Sequence, residues 1–182
     1  DMEKLNILRQ AEGPKGLQEY LPRWIKADPK NPLLLRLVSA FLPPEQSEPI
    51  LAKGLEERPI SVEVHRTFQD IKKSQGKDQE LIERYKNLAK ETGEDPSVMY
   101  LLARLYEPAE SIKILRKAVS SGRPAPYAHY SLAYHLHAQG KFEEAAREID
   151  QSREITEKSS SFYGEFAKEV YLAARRFKDL YC

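Results

Sequence analysis

Pro32 and Pro96 lie 64 residues apart, and that offset recurs along the chain. It aligns Leu37 with Leu101, Pro44 with Pro108, Ser47 with Ser111, Ile50-Leu51 with Ile114-Leu115, and Lys53 with Lys117. Further on, His65 aligns with His129 and Gln75-Gly76-Lys77 with Gln139-Gly140-Lys141. A unit duplicated over 31–92 and 95–156 explains these matches, and a repeat of this length constrains the fold more than composition does. Within each copy apolar residues recur at helical spacing, interrupted first by a proline turn (Pro43-Pro44; Glu107-Pro108) and then by a glycine turn. Each copy is therefore expected to hold two helical hairpins.

In the stretch AYHLHAQGKFEEAAREID, Leu132, Ala133 and Leu136 precede the turn, and Ala145, Ala146 and Ile149 follow it. Gly140 suits the left-handed residue that closes a helix, and Glu143 and Glu144 suit the positive end of the next. Ala145 is small where two helices approach closely. The pattern predicts helices near 2–11, 15–27, 31–42, 45–57, 60–74, 78–92, 96–106, 108–121, 126–139, 141–156 and 160–180, with no strand of useful length. Pro29, Pro32, Pro59, Pro96, Pro124 and Pro126 stand at or just before helix starts, where a missing N–H does least harm. One hairpin alone would leave an apolar face wet, so neighbours must stack.

These residues resemble the tetratricopeptide repeat. Over 126–157, His129 occupies the first aromatic position, Leu132-Ala133 the Leu-Gly pair, Leu136 the Tyr, Ala145 the small residue of the second helix and Ile149 the second aromatic. Glu157 replaces the terminal Pro. Over 96–124, Leu102-Ala103, Tyr106, Ser111, Leu115 and Ala118 fill the corresponding places with a shortened turn. The small position recurs as Ser39, Ala103, Ala133 and Ala167, with Gln69 as the departure. The resemblance implies an all-α fold, a right-handed α-solenoid of about five stacked antiparallel hairpins plus a C-terminal helix over 160–181 that is either a cap or a truncated repeat.

The resemblance also implies a groove lined by the first helix of each hairpin. Position by position, Arg36, Arg66, Tyr100 and Tyr130 form one row, while Ala40, Asp70, Arg104 and Tyr134 form the next, which Lys168 continues. Such a basic and aromatic surface fits a peptide or partner protein, an acidic one in particular, through bidentate arginine and ring contacts. The same tyrosine spacing also serves packing between hairpins. Members that clamp a chaperone's C-terminal carboxylate use asparagines where this chain has Ala40 and Asp70, so that function is not expected.

Little in the sequence points to catalysis. His129, His135 and His137 are separated by six and two residues, not the three or four that helical metal ligands need. Glu56-Glu57 and Glu143-Glu144 are adjacent rather than stacked, Ser159 to Ser161 have no nearby base, and there is no phosphate loop. Neither a metal nor a cofactor is expected, and the expectation is a non-catalytic protein-interaction scaffold. An RNA-binding helical repeat is the alternative, because arginines interleave with tyrosines, though a formal charge of +1 argues against it. A regulatory repeat domain of a larger enzyme is the third reading, and self-association remains open. Leu33 to Leu42 is too short to span a membrane and carries Arg36. Cys182, alone at the end, neither requires nor excludes oxidising surroundings; a cytoplasmic setting is favoured.

Overall fold

The computed structural model describes residues 13–155 and 164–175. Among them are ten helices and no strand: α1 (Gly13–Ala27), α2 (Pro32–Phe41), α3 (Pro44–Glu56), α4 (Val62–Ser74), α5 (Asp78–Glu91), α6 (Pro96–Ala103), α7 (Pro108–Val119), α8 (Pro126–Ala138), α9 (Phe142–Ile155) and α10 (Gly164–Ala173). The helix expected at 2–11, most of the flanks of the final helix, and Cys182 lie outside the described residues. No helix among those described is long and apolar enough to cross a membrane.

The chain divides after Leu81 into two compact units. In the first, α1 packs on α2 and α3, and α4 packs on α2 and α3. In the second, α6 and α7 pack on one another and both pack on α8, α8 packs on α9, and α9 packs on α10. Within each unit every helix so described lies against a sequence neighbour, and first helices of successive hairpins also touch, α2 with α4 and α6 with α8.

The two sequence copies reproduce each other at the backbone. Pro43 and Glu107 precede α3 and α7 with φ/ψ of −65°/154° and −62°/155°, extended values that let Pro44 and Pro108 open a helix where no N–H is needed. At the glycine turns, the Lys77 N–H donates to the Lys72 carbonyl at 3.0 Å and the Lys141 N–H to the Leu136 carbonyl at 3.0 Å. Gly76 and Gly140, at φ of 71° and 74°, supply the left-handed residue that this closure requires. Two boundaries differ from expectation: the final helix ends at Ala173 rather than near 180, with Arg175 at a left-handed φ of 57°, and α6 ends at Ala103 rather than 106. Leu105 and Tyr106 donate to carbonyls three residues back, at 3.0 and 3.2 Å, so the chain tightens before the Glu107-Pro108 turn.

Ala133, Ala145, Ala146 and Ile149 are fully buried where α8 meets α9, and Ala103 and Ala167 are buried at the recurring small position. Gln69, at the same position in the first copy, is fully buried too.

Two pairs of equivalent positions have changed together. Lys72, buried on α4, donates from Nζ to Glu48 Oε2 at 2.7 Å, while Gln75 Nε2 donates to Glu48 Oε1 at 3.0 Å. The second copy has Leu136 and Ile112 in their places. Likewise a Cβ added to Gly54 would come within 2.9 Å of Val64 Cγ1, whereas the second copy carries Ala118 and Ala128 there, both buried. The bulk is shared between the two helices in the second copy, where a smaller residue faces the added methyl group.

The Lys72 ammonium, chiefly by its hydrogen bond, holds the Glu48 carboxyl below its ordinary value. A depressed folded-state value contributes stability above the unfolded value that is lost as pH falls through the folded one. Glu48→Ala should cost about 1–3 kcal/mol, discounted for the partial exposure of Glu48, by leaving the buried ammonium without its carboxylate. Glu48→Ile with Lys72→Leu, which restores the apolar pair of the second copy, should show no net loss and a flatter decline from about pH 5 to about pH 3 in urea titrations. By the same logic Gly54→Ala should lower stability by about 1–2 kcal/mol, and Val64→Ala added to it should recover part of that loss in thermal melts.

Candidate binding surface

α8 begins at Pro126 and presents Tyr130, Tyr134 and His137 on one face, four and then three residues apart. Phe166 of α10 lies among all three, its ring centroid 5.3 Å from Tyr130, 5.6 Å from Tyr134 and 5.8 Å from His137. The Tyr130 and His137 contacts are edge-to-face, the geometry that ring quadrupoles favour. Phe142, the first residue of α9, extends the cluster with its ring 5.2 Å from His137. Tyr134 remains 59% exposed and Phe142 is also exposed, so the cluster forms an apolar surface.

Polar side chains rim it. Lys168 donates to Glu165 at 2.9 Å on the exposed side of α10, and Glu169 stands 3.9 Å from His137 Nε2. Behind the cluster, His129 Nδ1 lies 2.7 Å from Glu148 Oε2, and Ser152 Oγ donates to the Pro126 carbonyl at 2.8 Å, tying α9 to α8. Tyr171 Oη donates to Asp150 at 2.9 Å and accepts from Arg153 at 3.3 Å, tying α10 to α9. Burial pushes the Tyr171 phenol up to about 12, so it stays protonated and keeps this donor. Burial also lowers His135, whose Nε2 lies 3.1 Å from Ser111 Oγ; the neutral ring shares that hydrogen bond with a buried hydroxyl.

The groove positions expected from the sequence fare differently. Tyr130 and Tyr134 come together through Phe166. Tyr100 is only 7% exposed, and its ring stacks on Tyr127 at 5.5 Å, which is the packing role that its spacing also allowed. Arg104, at the end of α6, is half-buried. Arg66 is half-buried on α4 in the other compact unit, and the Arg36 side chain lies outside what the structure describes. Sequence reasoning left His137 a packing or surface role and did not place Phe142 or Phe166 at the surface. The signal for His137 was available, since it continues the Tyr130–Tyr134 face one turn further. Phe166 was legible only as an apolar position, because its partners are on another helix. Among the described residues no three His, Cys, Asp or Glu side chains group as metal ligands would.

Phe166 thus supports the rings, and Tyr134 displays one. Phe166→Ala should cost about 1–3 kcal/mol in denaturant titrations, because three ring contacts disappear from a half-buried position. Tyr134→Ala should change stability by less than about 0.5 kcal/mol, as expected of an exposed side chain. A larger loss for Tyr134 than for Phe166 would reverse these roles. Compared with protein-family models and with curated proteins, the chain matches none.

Proposed function

We propose that the chain is a repeat protein of the tetratricopeptide type, its hairpins stacked as a right-handed α-solenoid, serving as a non-catalytic scaffold that holds a peptide or partner protein. The observation that carries this reading is the aromatic surface of Tyr130, Tyr134, His137, Phe142 and Phe166, held on three helices around Phe166 with Tyr134 exposed. Three further features support the repeat assignment: backbone-equivalent turns at Gly76 and Gly140, buried alanines at the recurring small position, and contact between first helices of successive hairpins. Exposed rings with an apolar body and a polar tip suit peptide side chains at low entropic cost.

An acidic, aromatic-containing peptide library should yield binders whose affinity falls modestly with salt. Tyr134→Ala should weaken those binders at least about tenfold with no shift in the melting temperature. Single-stranded RNA titrated in parallel separates the nucleic-acid reading. A log-log salt slope of roughly −0.7 for each phosphate neutralised, with loss of affinity in Tyr134→Ala, would replace the scaffold proposal with an RNA-binding one.

A further inference from the structure

In the first compact unit, α1, α3 and the start of α4 enclose a cleft of about 360 Å³. Its floor is apolar, built from Pro22, Ile25, Ile50 and Val64, and Lys26 and Lys53 line its mouth. The volume falls within the range of small-molecule sites, which combine apolar walls with a few polar groups.

At the equivalent positions of the second copy a cavity of about 280 Å³ has a different lining. There Lys117, the counterpart of Lys53, is paired with Glu94, and Arg123 donates to the Gly93 carbonyl at 2.9 Å and to that of Glu94. That cavity, lined by Gly93, Lys117, Ser121 and Arg123, is polar and its cations are engaged. In the first copy the residue equivalent to Glu94 is Lys30, and the one equivalent to Arg123 is Pro59. The sign at that position is reversed, so the carboxylate near Lys53 is that of Glu57, which attracts it without an ion-pair contact. Lys30 turns instead to Glu57, at 2.8 Å, where the second copy has Ser121. Neither Lys26 nor Lys53 makes an ion pair or hydrogen bond among the described residues. Lys26 and Lys53 outnumber Glu57 in the lining and leave the mouth cationic, and Pro59 cannot make the backbone contacts that Arg123 makes in the second copy.

We propose that this cleft is a binding site for a small amphiphilic anion, with an aliphatic or aromatic tail on Ile25, Ile50 and Val64 and a carboxylate or similar acidic head between Lys26 and Lys53. Tail burial supplies the attraction, and the lysines select for the head. The site lies apart from the aromatic surface, and its existence does not depend on the scaffold reading.

Octanoate titrated into the full chain, followed by calorimetry and by fluorescence of Trp24, the one tryptophan, should saturate with a Kd below about 1 mM. Octanol, the tail without the charge, and acetate, the charge without the tail, should each bind at least about tenfold more weakly. Lys30→Glu with Glu57→Ser transplants the charge pattern of the second copy and should weaken octanoate about tenfold with an unchanged melting temperature. Lys53→Gln, at an exposed position, should weaken octanoate in the same direction. Absence of saturable binding by both readouts, equal affinity for octanol and octanoate, or unchanged affinity in both variants would overturn the proposal. Binding to vesicles of anionic phospholipid without binding of free octanoate would also overturn it, and would assign the lysines to a membrane surface.

Discussion

Two antiparallel helices can approach closely only where their facing side chains are small, and α8 and α9 meet that condition with Ala133, Ala145 and Ala146, none of which retains exposure. A turn that reverses the chain in so few residues needs one left-handed position, and Gly140 supplies it. The packing of this hairpin places Phe142 beside His137 and offers α9 as the surface on which α10 docks. Docking of α10 then brings Phe166 to Tyr130 and Tyr134. The exposed aromatic surface is therefore a consequence of helix spacing, several contacts removed from the alanines that set it.

The ties between these helices are polar but need little ionic strength to hold. Ser152 reaches a backbone carbonyl, and Tyr171 links Asp150 and Arg153 through a phenol that burial keeps protonated. Neutral donors of this kind avoid the desolvation that a buried charge demands. Unit one takes the costlier route at the Glu48–Lys72 pair, with Gln75 satisfying the second carboxylate oxygen and the Lys72 ammonium also lying over the Phe68 ring at 5.5 Å. The arrangement survives because each charged group has a partner and one side of Glu48 remains wet.

Most of the helical framework was legible in the sequence, because its determinants are local. Prolines at helix starts, glycines at turns and the apolar period are decided within a few residues of chain, and they placed nearly every described helix end within two residues. α6 and α10 are the exceptions: nothing local distinguishes a last α-helical turn from the tighter one that Leu105 and Tyr106 adopt, and the apolar spacing runs on past Ala173, where the backbone turns left-handed at Arg175. The candidate surface was less legible. The helical period put Tyr100, Tyr130 and Tyr134 on related faces, but whether a ring is covered depends on its neighbours, and Tyr127 covers Tyr100 while Tyr134 stays open. The cleft between α1, α3 and α4 could not be read at all, because it arises from residues 22 to 64 converging from three helices.

The 64-residue correspondence within the sequence bears on this asymmetry between fold and site. Interior positions are coupled through packing, so they diverge in compensating pairs: Glu48 and Lys72 against Ile112 and Leu136, Gly54 and Val64 against Ala118 and Ala128. A lone change at either site would leave a stranded charge or an overfilled gap, which a marginally stable domain does not readily absorb. Loop positions carry no such coupling. Lys30 and Glu94 both lie outside helices, where exposed ion pairs contribute little to stability, so the sign of the charge can invert while the framework is untouched. Inversion there nonetheless redirects the partners of Lys53 and Lys117, and with them the character of the adjoining cavity. Side-chain chemistry in a helical framework can thus differ at residues that helix packing leaves unconstrained, while equivalent turns and buried positions are kept.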